Sequence, residues 1–144
     1  MSYDLAVFDV EAAPRLRAQF LAWYDTQTEW NEEHGYDDPA VSAAPLRAWF
    51  LDMIAAFPPM NGPLAVDDID AAPGRATDYS VGRSLIYAAF AWSQAQDAYA
   101  TVYGLAAKHG VGFFDASSEL GEVWWPDGRG ALTLVHADAD ADAD

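Results

Sequence analysis

The sequence predicts an α+β domain with one mixed sheet of four or five strands and three helices packed mainly on one face. Short apolar runs bounded by turn residues mark strands near both ends of the chain and around residues 79–92. Three intervening stretches carry apolar residues at helical spacing. The order is strand, helix, helix, strand or hairpin, helix, strand, strand. Its strand–helix–strand unit at 85–115 is expected to be a right-handed crossover.

The elements follow in order. Tyr3 to Val10 reads as a first strand, stopped by Glu11-Ala-Ala-Pro14. Pro14 suits a first helical turn. Leu16, Phe20, Trp23, Tyr24 and Trp30 then share a face, and His34-Gly35 closes the helix. Ser42 is the expected N-cap of a second helix, with Pro45 in its first turn and a stripe of Leu46, Trp49, Phe50, Met53, Ile54 and Phe57. Pro58-Pro59 stops it. Residues 58–76 read as a long surface strap pinned by Met60, Leu64, Val66 and Ile69, or as a functional loop.

Tyr79 to Trp92 is the clearest strand region, with Gly82-Arg83-Ser84 as a turn or bulge and Leu85 to Trp92 buried on both faces. Ser93 and Gln96 have capping-box spacing for a third helix. That helix ends with Lys108 and His109 at its negative end and Gly110 as the left-handed cap. Val111 to Asp115 and Glu122 to Trp125 are further strands, and Leu132 to Val135 is able to pair back after the Pro126-Asp127-Gly128 turn. Residues 1–136 thus form a single domain, and 137–144 are a low-complexity Ala-Asp tail that cannot bury apolar area.

The 144 residues carry 23 acids against 7 Lys+Arg, for a net charge of −16. Four of these acids lie in the tail; the body alone holds 19 against 7, or −12, so acidity belongs to the domain. Such a surface repels nucleic acid and anionic lipid and attracts basic partners. The absence of cysteine excludes disulfides and thiolate chemistry and fits a reducing compartment. No signal peptide and no apolar run of membrane-spanning length is visible, so the expected location is the cytoplasm.

Motifs for catalysis are missing. There is no G-x-S-x-G elbow, no H-E-x-x-H, no phosphate-binding loop and no dinucleotide fingerprint. Gly110-Val-Gly112 follows a helix instead of opening one. The sequence therefore predicts no enzyme, no cofactor and no metal site. Two carboxylate clusters remain, Glu29, Glu32, Glu33, Asp37 and Asp38, and Asp67, Asp68 and Asp70. Trp30 and Tyr36 lie within the first. Trp124 and Trp125 are adjacent on a strand, so one should face away from the core; Trp125 is the candidate. Acid beside exposed aromatic is the composition of a surface that grips a basic protein.

Met1-Ser-Tyr-Asp-Leu-Ala-Val, Tyr79-Ser-Val-Gly, Ile86-Tyr-Ala-Ala-Phe-Ala-Trp-Ser-Gln-Ala and Lys108-His-Gly-Val-Gly-Phe-Phe-Asp together resemble a family of small acidic bacterial proteins of unknown function. The resemblance spans residues 1–126 and brings no catalytic residue with it. Size and acidity are similar to those of immunity proteins that neutralise toxins exchanged between bacteria. The resulting expectation is an immunity- or antitoxin-type protein. It would block a basic toxin domain, such as a nuclease, through Glu29, Glu32, Glu33, Asp37, Asp38, Asp67, Asp68 and Asp70, anchored by Trp30, Tyr36 and Trp125. The alternatives are a general protein-interaction or housekeeping module, and a small carboxylate-based enzyme or metal-binding protein.

Overall fold

The computed structural model describes residues 3–29, 39–59, 77–117 and 121–136. Strand β1 (Tyr3–Phe8) is followed by α1 (Arg17–Gln27), α2 (Ala44–Ala56), β2 (Asp78–Val81), β3 (Leu85–Phe90), α3 (Ala95–His109), β4 (Gly112–Phe114), β5 (Val123–Pro126) and β6 (Leu132–His136). Among the described residues the fold is α+β with three α-helices, as the sequence predicts, but the sheet has six strands and every pairing between them is antiparallel. The strand order is β2-β3-β1-β4-β5-β6.

That order explains why a mixed sheet is the wrong expectation. β3 and β4, joined through α3, run in the same direction. They do not touch, because β1 lies between them and pairs antiparallel with both. A crossover that reads as parallel in sequence becomes two antiparallel ladders once the N-terminal strand fills its gap. The extra strand comes from 79–92. Arg83-Ser84 make a tight hairpin, the Gly82 amide donates to the Leu85 carbonyl at 2.8 Å, and Val81 pairs with Ile86.

Helix boundaries shift for local reasons. α1 starts after Leu16, which stands outside it and is 66% exposed, and it ends at Gln27, short of the expected His34. Near that end the Thr26 and Thr28 hydroxyls donate to the Ala22 and Tyr24 carbonyls, a pattern that competes with helix propagation. Residues 30–38, including His34-Gly35, lie outside the described residues. Ser42 does not cap α2; its hydroxyl, buried, donates to the Gly82 carbonyl at 2.7 Å and ties the helix entry to the β2–β3 turn. The Ser93–Gln96 capping box does not form either. A 3-10 turn at Trp92–Gln94 leads into α3, which has no side-chain cap. The C-terminal signal does hold: Gly110 is left-handed at φ 70° and the Val111 amide donates to the Ala106 carbonyl.

Strand alternation divides the core in two. Leu5, Val7, Tyr79, Val81, Ile86, Ala88, Phe90 and Phe113 face α2 and α3. Ala6, Phe8, Leu85, Phe114, Val123 and Trp125 face α1. Two helices therefore lie on one face and one on the other. On the two-helix face Trp49 is fully buried with its Nε1–H donating to the Val102 carbonyl of α3 at 3.4 Å. The Tyr79 hydroxyl donates to the Phe57 carbonyl at 2.7 Å. Asp52 of α2 accepts from Lys108 and pairs with His109 of α3, at 3.1 and 2.7 Å. The one-helix face is aromatic. Phe20 meets Phe8 and Phe114 edge-on, and Tyr24 meets Phe114 at 4.6 Å between ring centres. Pro58 and Pro59 are buried, and Thr77 lies beside them through a parallel bridge to Pro59. Residues 60–76 of the strap expected over 58–76 lie outside the described residues.

Candidate functional site

A six-stranded sheet is about 25–30 Å wide at about 4.8 Å per strand, whereas a helix with its side chains is about 10–12 Å across. One helix cannot cover such a face. α1 packs on β1, β4 and β5 through Phe20, Trp23 and Tyr24, and among the described residues no helix covers the β2–β3 end of the face. There an open cleft of about 420 Å³ is lined by Tyr24 and Thr28 of the α1 end, by Asp78 and Ser80 of β2, and by Tyr87 and Ala89 of β3.

Register sets the layout. Ala89 pairs with Asp78 on one side and with Asp4 on the other. A small residue thus forms the floor between two carboxylates that stand two strand spacings, about 9.5 Å, apart. Ser80 pairs with Tyr87 in the neighbouring row. The Tyr87 hydroxyl donates to the Asp4 carboxylate, whose own backbone amide donates to the Ser117 hydroxyl at 2.7 Å. Thr28 spends its hydroxyl proton on the Tyr24 and Asp25 carbonyls.

The electrostatics of the cleft are one-sided. Burial, joined by the charges of Asp4 and Asp25, pushes the Tyr24 phenol well above its ordinary range. Burial, then the hydrogen bond to Asp4, does the same to Tyr87. Both phenols therefore stay neutral and protonated at physiological pH. Asp25 is exposed on α1, and Glu29 is exposed immediately after Thr28. No basic side chain lines the cleft among the described residues. The described cations are placed elsewhere. Arg15 lies over the Trp125 ring at 4.9 Å, Arg47 donates to the Ser42 carbonyl, Lys108 pairs with Asp52, and Arg83 and Arg129 sit in hairpin turns.

Of the candidates expected from sequence, Glu29 falls beside this cleft. Trp125 does not serve as an exposed anchor. It is 7% exposed, edge-on to Phe8 at 5.2 Å and covered by Arg15. Its neighbour Trp124 turns to the other face, against Tyr103 of α3. Neither indole faces solvent because both faces of the sheet are covered at β5. Trp30, Glu32, Glu33, Tyr36, Asp37, Asp38, Asp67, Asp68 and Asp70 lie outside the described residues. The exposed indole among the described residues is Trp92, at 49%, stacked at a tilt on Tyr3. The apolar run 85–92 predicts a buried strand there, but β3 ends at Phe90 and Trp92 opens the turn before α3.

Asp4, Tyr24, Asp78, Ser80 and Tyr87 carried no sequence signal as a group. Asp78-x-Ser80 and Tyr87-x-Ala89 do alternate with apolar neighbours, which marks the polar side of a hairpin. What brings Asp4 to them is the β1–β3 pairing. Among the described residues no group of three or more His, Asp or Glu is placed to hold a metal ion, and no helix is long and apolar enough to cross a membrane.

No family model matches the chain, no curated protein matches it in sequence, and no solved structure matches it. The site has to be judged by its own geometry.

Proposed function

We propose that this chain is a cytoplasmic binding protein of the immunity or antitoxin type, which captures a basic protein partner and blocks that partner's active cleft. The observation that supports it best is the open cleft between α1 and the β2–β3 hairpin. Asp4, Asp25, Glu29 and Asp78 gather at or next to it, beside two neutral tyrosines, and no cation lines it among the described residues. A chain of net charge −16, of which the domain carries −12, supplies the long-range field that speeds encounter with a basic surface. A toxin that acts on nucleic acid carries such a surface, and an acidic protein imitates its polyanionic substrate.

The test is binding of the product of the adjacent gene, measured at low and high salt with the parent chain and with Asp78→Lys. The expected result is a complex whose affinity drops at least about tenfold with salt, mainly through slower association, and further with the charge reversal. A complex indifferent to both salt and Asp78→Lys would contradict the proposal, as would the absence of any complex.

A further inference from the structure

We propose that the cleft is a receptor for the guanidinium group of an arginine side chain presented by the partner; this rests on the basic-partner function above and specifies what its site reads. The size fits. About 420 Å³ is at the small end of ligand pockets, too large for a bare ion and suited to one long side chain. Asp78 supplies an exposed carboxylate that can accept two parallel N–H bonds. Ser80 adds a hydroxyl oxygen, and the Thr28 oxygen keeps lone pairs after its proton is committed to the helix. Tyr24 and Tyr87 give aromatic walls, and Ala89 leaves room above the sheet between Asp78 and Asp4.

Arginine suits this set better than lysine. Its guanidinium is planar, weakly hydrated and carries five donors in a fixed fork, so it stacks on an aromatic ring while pairing with a carboxylate. An ammonium is a compact, strongly hydrated point charge. The fold already makes one contact of this kind, where Arg15 lies over Trp125. An anion would meet Asp78 with Asp4 close behind the Tyr87 hydroxyl. A divalent ion would find one lining carboxylate where several oxygens are needed.

The experiment is calorimetric titration at low salt with four probes: a neutral Gly-Ser peptide carrying one central arginine, the same peptide with lysine, the same with citrulline (isosteric but uncharged), and arginine amide alone. The arginine peptide should bind saturably and the lysine peptide several-fold more weakly. The citrulline peptide should bind at least about tenfold more weakly, since it loses the charge-assisted pair. Asp78→Asn, an isosteric change at an exposed position, should lower arginine-peptide affinity at least about tenfold with an unchanged circular dichroism spectrum. Glu11→Gln, beyond the opposite end of β1, should leave it unchanged. Equal binding of arginine and citrulline peptides, indifference to Asp78→Asn, or no binding of the arginine peptide would overturn the inference. Arginine amide binding as tightly as the peptide would overturn the partner side chain as the source, in favour of a free guanidinium compound. A salt-sensitive partner complex that survives Asp78→Asn at full strength would remove arginine recognition here and leave the broader function standing.

Discussion

On one face of the sheet, α2 and α3 together bury Trp49, Phe50, Met53 and Phe57 against the strands and clasp each other through Asp52, Lys108 and His109. On the other face, among the described residues, a single helix reaches β1, β4 and β5, and two tyrosines and a carboxylate line the cleft above β2 and β3. Both faces are rich in aromatic rings. The difference is coverage, and it teaches where each face's chemistry can lie. A sealed face can only contribute stability. A half-covered face has side chains that are held by packing on one side and free to meet a partner on the other.

The largest expected effect comes from opening the sealed face. Trp49→Ala should cost about 3–5 kcal/mol in urea unfolding, through a cavity and the loss of the α2–α3 hydrogen bond. A value below about 1 kcal/mol would mean that this face is not the anchor of the fold.

Next is a close approach under α1. A Cβ on Gly112 would stand 2.1 Å from the Phe8 ring, inside contact distance. Gly112→Ala should therefore destabilise by about 1–3 kcal/mol, and Phe8→Leu in the same chain should return part of that loss. Strict additivity of the two changes would show that the glycine is needed for another reason.

A smaller effect tests the clasp. Hydrogen bonds from His109 and then Lys108 hold the Asp52 carboxyl below its ordinary value. The folded state thus binds that proton less tightly than the unfolded state. The clasp contributes fully above the ordinary carboxylate pKa of about 3.9 and is lost as pH falls through the lowered folded value. Asp52→Asn should lower the melting temperature at neutral pH, and the gap from the parent should close on acidification. A gap independent of pH would contradict the ion pair.

The smallest effect belongs to the open side. Ser80→Ala should change stability by no more than about 0.5 kcal/mol, because Ser80 lines the cleft and is not part of the buried core. A larger loss would mean that the cleft residues are part of the core.

Much of this division was legible in the chain, and the limits are physical. The α2 stripe is written at 3.6 spacing, the Gly110 cap has its φ-positive residue after two cations, and Gly82-Arg83-Ser84 marks the hairpin. Those signals are local. The all-antiparallel order depends on β1 entering between β3 and β4, a pairing with β3 about 80 residues apart that no local pattern encodes. The cleft depends on the same pairing, since it sets Asp4 opposite Ala89. Trp125 misled for a related reason. Alternation shows that Trp124 and Trp125 point to opposite faces, but not that a helix covers each.

The central claim is that a basic partner is held in the cleft between α1 and the β2–β3 hairpin. Hydroxyl-radical footprinting of the chain, free and in complex with the adjacent gene's product, tests it most directly. Tyr24 and Tyr87 should lose reactivity on binding, while Trp92, exposed next to Tyr3 at the start of α3, should keep it. Protection of Trp92 with Tyr24 and Tyr87 unchanged would place the partner elsewhere and contradict the account.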